Sequence, residues 1–351
     1  MRIAQVAPLY ESVPPKLYGG TERVVSYLTE ELVRQGHTVT LFASGDSETA
    51  ARLVAATPRS LRLDEGSIDR LAHHVVLLEQ VARYAREFDV VHYHIDYLHF
   101  PRTRCRPHPH ITTLHGRLDL PDLVPLYNEF HEMPVVSISH SQRAPLPQAN
   151  WRATVYHGLP PNLLPFQDGP GEYLAFIGRF SPEKGADRAI EIAQRAGVPL
   201  KLAAKVDAAD KEYFAREIQP LLDHPLLEFV GEITEDQKAE FLGKARALLF
   251  PIDWPEPFGL VMIEAMSCGT PVIAFPGGAV EEVMEDGRSG FVVTTVEAAV
   301  DAVRRASDFD RRACREVFER RFTVEQMAAD YLRVYEQAAR PHSPRLASSA
   351  A

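Results

Sequence analysis

The stretch DWPEPFGLVMIEAMSCGTPVIAF, Asp253 to Phe275, decides how this chain is read. It carries two carboxylates, Glu256 and Glu264, across a loop that runs into a helix, with Phe258-Gly259-Leu260 between them. The apolar run Val261 to Met266 predicts the first turns of that helix. Gly269-Thr270-Pro271 breaks it, and PVIAF predicts a short buried strand. A loop feeding a helix N-terminus leaves free backbone N–H groups, which suit an anion such as a phosphate. An ionised carboxylate accepts several O–H hydrogen bonds, so the two glutamates suit a hydroxyl-rich ligand. Either glutamate alone reads as a solvated charge near a helix start. Glu264 resists that reading, because it sits inside an apolar helix face where a charge without a partner is costly.

Upstream, RIAQVAP (Arg2–Pro8) predicts a strand and Thr21–Gln35 a helix, with Thr21 as N-cap and Val24, Val25, Leu28 and Leu32 as its apolar stripe. Gly36 closes the helix and HTVTLFAS is the next strand, which makes a βαβ unit opening a parallel doubly wound sheet. No G-x-G-x-x-G follows the first strand, so the dinucleotide fingerprint is absent. Gly19-Gly20 stands immediately before the helix instead. Paired glycines there are a flexible turn or a place for backbone to approach a ligand. A second helix is expected over Ile68–Arg86, then a strand DVVHYHIDY, a His- and Pro-rich loop, and HITTLHGRLD. His92 and His94 share one strand face, but no carboxylate or cysteine completes a metal set, and Asp96 has no DXD partner. His115 ends the strand ITTL, at the carboxyl edge where open α/β sheets bind ligands. Ser139, near the end of the strand PVVSISHS, reads as a helix cap or turn residue rather than an acceptor contact.

Dense proline and glycine in ATVYHGLPPNLLPFQDGPGEY mark a domain boundary. The expected layout is an N-terminal Rossmann-like domain over 1–165 and a C-terminal one over 170–322. A terminal helix over 323–340 follows, with a disordered tail at 341–351. The second domain opens on the strand YLAFIG, and Ser181-Pro182-Glu183 begins a helix. Arg179 and Lys184 bracket that turn. By themselves they are solvated cations. Lys205, at the end of LKLAAKV, is a weaker candidate for a phosphate contact.

The net charge of −10 over 351 residues argues against a nucleic-acid partner. No window is apolar enough for a membrane span, and MRIAQVAPLY lacks a signal-peptide pattern. Three widely spaced cysteines do not make a disulfide framework, which fits a cytoplasmic protein.

At EPFGLVMIEAMSCGTPV the chain resembles the family 4 retaining glycosyltransferases of the GT-B fold, whose hallmark is a Glu-x7-Glu motif, EPFGL-x-x-x-EA-x-x-x-G-x-PV. The resemblance runs from Gly19-Gly20 to the terminal helix. It implies two Rossmann-like domains facing an interdomain cleft, with the terminal helix crossing back onto the first domain. It implies that Glu256 contacts the donor sugar, Glu264 the ribose, and the Phe258, Gly259 and Leu260 backbone the sugar and diphosphate. Gly178-Arg179 and Lys184-Gly185 match the family's diphosphate clamp, in which a bidentate fork and a mobile point charge neutralise a leaving nucleoside diphosphate. Gly19 and Gly20 would face the diphosphate, His115 the reacting sugar and acceptor, and the loop with Gly231 and Ile233 the base. Lys238 matches a position near the nucleotide. One departure stands out: the family usually has Asn-Gly-Val where this chain has His157-Gly158-Leu159.

The resemblance therefore implies a retaining, metal-independent hexosyltransferase without a cofactor. It would take UDP-glucose first and GDP-mannose second as nucleotide-sugar donor, with a small-molecule or glycan hydroxyl as acceptor. A non-hydrolysing UDP-sugar 2-epimerase shares the fold but lacks EPFGL-x-x-x-EA. A phosphorylase-like enzyme needs a far longer chain, and a dehydrogenase fails on its glycine fingerprint. A non-catalytic nucleotide-sugar-binding protein is the remaining alternative, against which the intact Arg179, Lys184, Glu256 and Glu264 argue.

Overall fold

The computed structural model describes residues 1–16, 19–62, 64 and 66–339. Seven parallel strands build the first sheet: β1 (Arg2–Val6), β2 (Thr38–Ser44), β3 (Arg52–Thr57), β4 (Val90–Tyr93), β5 (His110–Thr113), β6 (Pro134–Ser137) and β7 (Asn150–Thr154). Their spatial order is β3-β2-β1-β4-β5-β6-β7. Six parallel strands build the second: β8 (Tyr173–Arg179), β9 (Leu200–Lys205), β10 (Leu227–Gly231), β11 (Ala245–Phe250), β12 (Val272–Ala274) and β13 (Gly290–Val292). They run in the order β10-β9-β8-β11-β12-β13. Strand order reverses between β1 and β4 in the first sheet and between β8 and β11 in the second. At such points the carboxyl ends of a parallel sheet part and leave a crevice for a ligand.

The central strands are apolar because helices cover both faces. All four residues of β4 are buried, and β11 is buried over all but one of its six. The helix Gly20–Arg34 buries Val24, Val25, Leu28 and Leu32, the stripe expected from its period. Its start differs from expectation. Thr21 lies inside the helix and caps nothing; the N-cap is Gly19, and no side chain bonds the first turn. A Cβ at Gly19 would press on Pro15, so the chain packs tightly against the preceding loop and the cap falls two residues before Thr21. The second helix runs Arg70–Tyr84, and the Asp69 carboxylate accepts from the N–H groups of Leu71 and Ala72. Ser139 does cap a helix: its hydroxyl accepts from the Gln142 N–H.

Two strands, β3 and β7, were not anticipated. They are the edges of the first sheet, half-exposed, and carry weak apolar signals. The His- and Pro-rich segment likewise contains a short helix, Phe100–Cys105.

After the second sheet is complete, the helix Val324–Ala339 returns to the first, packing on Gly20–Arg34, β4 and β5. Its Tyr335 hydroxyl accepts from Gln5 Nε2 at 2.9 Å, and the Tyr331 hydroxyl lies 2.9 Å from Thr113 Oγ1. The tail expected at 341–351 lies outside the described residues. Among the described residues no helix is long and apolar enough to cross a membrane.

Candidate active site between the two sheets

A cleft of about 850 Å³ lies between the carboxyl edges of the two sheets. Gly19, Gly20 and His115 line it from the first half, and Arg179, Lys184 and Ile233 from the second. The central motif adds Glu256, Phe258, Gly259, Leu260 and Glu264. Gly231 does not line it. That residue ends β10 with φ 78°, and this turn delivers Glu232 and Ile233 to the cleft instead.

The motif loop owes its shape to two glycines. Gly259 adopts φ 84° as the N-cap of the helix Leu260–Cys268, a conformation that disfavours any residue with a Cβ. Gly278 has φ 59°, and a Cβ there would collide with the Glu256 backbone; the Ala279 N–H donates to the Glu256 carbonyl at 2.8 Å. The Gly277-Gly278 pair is thus a support for the motif loop. Across the cleft, a Cβ at Gly20 would meet Leu260 Cδ1 at 3.6 Å, so the first-half glycines and the motif face each other closely.

Each motif carboxylate holds a lysine. Lys184 Nζ donates to Glu256 Oε2 at 2.5 Å, Trp254 Nε1 donates to the same oxygen at 3.0 Å, and Lys184 stands 4.5 Å from the Trp254 ring centre. Lys238 Nζ donates to Glu264 Oε1 at 2.6 Å. Glu264 is only 3% exposed, and Lys238 is the partner that makes its charge tolerable inside an apolar helix. Arg179 sits among Glu183 at 2.6 Å, Asp210 at 3.2 Å and Asp207 at 3.7 Å. Lys205 lines the same wall and pairs with Asp207 at 2.9 Å.

The first-half wall is built from neutral imidazoles. His115 Nε2 lies 2.9 Å from His94 Nδ1, and His94 Nε2 lies 2.8 Å from Gln5 Oε1. The Gln5 amide gives its N–H to Tyr335, so its oxygen accepts from His94 Nε2–H. His94 Nδ1 then accepts from His115 Nε2–H, which leaves His115 Nδ1 with the lone pair. His92 bonds Tyr335 at 2.8 Å and Thr113 at 2.7 Å, so both of its nitrogens are committed within the fold. Burial pushes His92 and His94 well below the usual imidazole range and His115 down to about 3. His157, where the motif departs from Asn, is buried and stacks on His115 at 5.4 Å and against Phe258 at 4.8 Å. The departure therefore places a fourth neutral ring in this wall.

Several residues at or beside the cleft escaped the sequence reading. Arg23 and Tyr27, on the helix Gly20–Arg34, both contact Glu235 on the helix Glu235–Gly243 and so tie the two halves together at one end of the cleft. Glu22 is buried beside them, its carboxyl raised by loss of water. The available signal was Glu22-Arg23 one residue beyond Gly19-Gly20, two charges on a helix whose next residues are core valines. Trp254 also lines the cleft without having been singled out.

Two family models match successive parts of the chain. Glycosyltransferase Family 4 covers residues 18–156, and Glycosyl transferases group 1 covers residues 166–316. A phosphatidyl-myo-inositol mannosyltransferase of Mycobacterium leprae is 25% identical over 97% of both chains. A D-inositol 3-phosphate glycosyltransferase of Nocardioides is 35% identical over 47% of this chain and 41% of its own. Among solved structures, AviGT4, a glycosyltransferase involved in avilamycin A biosynthesis, superposes with TM-score 0.75 at 25% identity over 97% of this chain and 98% of its own. HepE of Anabaena, solved with UDP-glucose, shares the fold at TM-score 0.73 and 18% identity over 96% of this chain and all of its own. With both halves matched in chain order and two parallel sheets meeting at one cleft, the chain belongs to the family 4 glycosyltransferases, with the GT-B fold.

Proposed function

We propose that this glycosyltransferase transfers a hexose from a nucleoside-diphosphate sugar to a hydroxyl of a small-molecule or glycan acceptor, with retention at the anomeric carbon and without a metal. UDP-glucose is the first expectation for the donor and GDP-mannose the second. The name of the mycobacterial relative supports a mannosyl donor, and the HepE complex supports UDP-glucose.

The observation that carries the reading is that Lys184–Glu256 and Lys238–Glu264 line one wall beside Arg179. Such pairs are ready to exchange partners. A donor diphosphate takes the cations, and sugar and ribose hydroxyls take the released carboxylates. Breaking the bond from C1 to the diphosphate oxygen gathers negative charge on the leaving group, and Arg179, Lys184 and nearby backbone N–H groups stabilise it. In a front-face route the acceptor hydroxyl gives its proton to a phosphate oxygen of the departing diphosphate while its oxygen bonds to C1. No protein nucleophile is required, and Glu256 positions sugar hydroxyls. Closure of the two halves excludes water and limits hydrolysis. Three unpaired cysteines accord with a cytoplasmic setting.

The test is incubation with a panel of nucleotide sugars and no acceptor, following the melting temperature and nucleoside diphosphate release. A true donor raises the melting temperature by mass action and is slowly hydrolysed, and Glu264→Ala removes both effects. If no nucleotide sugar, UDP or GDP shifts the melt, the donor-site reading is wrong.

A further inference from the structure

Asp96 is the only described residue other than glycine with a positive φ, at 51°. Side chains with a Cβ rarely hold this conformation, and one that persists is fixed by its surroundings, often at a functional site. Asp96 lies three residues past the end of β4, beside the point where strand order reverses, and it lines the cleft. Among the described residues its carboxylate has no hydrogen-bond or ion-pair partner. The groups around it are uncharged or already committed. Tyr127 is kept a neutral phenol by burial, and His94 and His115 are likewise held neutral by burial. Arg117, a cation lining this half of the cleft, grips Asp119 with two bonds of 2.7 and 2.8 Å. Asp96 is itself exposed to the cleft, and the protein packed around its carboxyl raises it to about 6, with loss of water as the cause.

The charged groups assigned to the donor all lie on the second-half wall, and nothing in that assignment uses Asp96. A carboxylate on the cleft wall with no cation beside it repels a phosphate and accepts O–H groups strongly. Tyr10 and Tyr97 line the same half of the cleft, each more than one-third exposed (40% and 38%), and give broad apolar faces beside polar edges. We propose that Asp96 anchors an acceptor subsite for a neutral hydroxyl-bearing ring, a sugar or cyclitol, whose hydroxyls its carboxylate accepts between Tyr10 and Tyr97. The proposal rests on the glycosyltransferase reading of this cleft and names the acceptor class that the reading left open.

Asp96→Asn and Asp96→Gly suit the test, because both residues enter left-handed backbone readily and the fold is preserved. Binding of glucose, myo-inositol and glucosamine is followed by saturation-transfer NMR, with and without UDP or GDP. The wild type is expected to bind glucose or myo-inositol at neutral pH. It should lose that binding as the pH falls through about 6, where the carboxyl takes up a proton and ceases to be a strong acceptor. Both variants should bind these rings roughly tenfold or more weakly, with no inflection near that pH, while the melting-temperature rise caused by the nucleotide is kept. Wild type that binds neither neutral ring, or only glucosamine, overturns the proposal. So does a variant that binds as well as wild type. Failure of UDP and GDP to shift the wild-type melt counts against the donor reading instead, since the ring-binding arm is also read without nucleotide.

Discussion

On one wall of the cleft, Lys184 meets Glu256 at 2.5 Å and Lys238 meets Glu264 at 2.6 Å. On the other, His92, His94 and His157 are buried behind half-buried His115, and all four are driven toward the neutral form. Both walls bury polar groups at the carboxyl edge of a parallel sheet, yet they satisfy them differently. The second-half wall uses opposite charges, each costly to leave alone and therefore quick to accept a replacement partner of the same sign. The first-half wall uses imidazoles bonded in series to Gln5, Tyr335 and Thr113, which need no counter-ion. A charged wall suits a diphosphate and its sugar hydroxyls. A neutral wall meets hydroxyls without drawing the anion to the wrong side.

The comparison is broken most severely by acid. The buried imidazoles His92, His94, His99 and His157 stay neutral when folded, whereas in the unfolded chain each takes a proton near its ordinary value of 6.5. Below that pH the unfolded state binds more protons. Stability is therefore fully present above 6.5 and is lost as pH falls, at about 1.4 kcal/mol per pH unit for each such histidine. Denaturant melts between pH 8 and 5 should show stability dropping steeply below about 6.5. A flat profile over that range would mean that the wall is charged or already open to water.

Next in size is removal of a cation from the charged wall. Lys184→Ala should lower transfer about 10²–10³-fold, the loss typical of one group that stabilises transition-state charge. It also strands Glu256, so Lys184→Met combined with Glu256→Gln separates the two effects. That pair should recover most of the melting temperature and none of the rate. Recovery of rate would show that the ion pair is structural. A smaller loss is expected for Glu264→Gln, which keeps the shape and removes the charge. UDP or GDP affinity, measured by calorimetric titration, should weaken about tenfold. Unchanged affinity would assign Glu264 solely to holding Lys238.

The charged wall was the more legible of the two. Arg179 and Lys184 are five residues apart on one turn, and Glu256 and Glu264 share one loop and helix, so each pair is compact in sequence and the resemblance to the family 4 motifs could single it out. What the pattern omits is the partner across the fold. Lys238 reaches Glu264 over 26 positions, and Tyr335 reaches Gln5 over 330. No local periodicity encodes such pairs. His115 was placed correctly at a strand edge lining the cleft, but the train of rings behind it arises only when β1, β4, β5 and the returning helix meet. The edge strands β3 and β7 were missed for a different reason: half-exposed strands lack the continuous apolar run that marks the central ones. Thr21 failed as a cap because capping propensity lost to the close packing of Gly19 on Pro15.

The smallest expected effect tests how the neutral wall keeps its polarity. Tyr335→Phe deletes a hydroxyl that accepts from Gln5 Nε2 and lies 2.8 Å from His92 Nδ1. Two buried polar groups lose a partner, so stability should fall by about 1–2 kcal/mol in a denaturant melt, with little change in transfer rate. The interest lies in the rate. With Tyr335 present, the Gln5 nitrogen is held by the hydroxyl and its oxygen faces His94, which fixes the proton on His115 Nε2. Without it the amide is free to turn over. A turned amide donates to His94, which donates to His115, and the proton of His115 moves to Nδ1. A rate that falls well beyond the stability loss, accompanied by a change in the His115 nitrogen-15 shifts, would make the ring's tautomer part of the function. An unchanged rate would leave the neutral wall as scaffolding, with the charged wall carrying the chemistry.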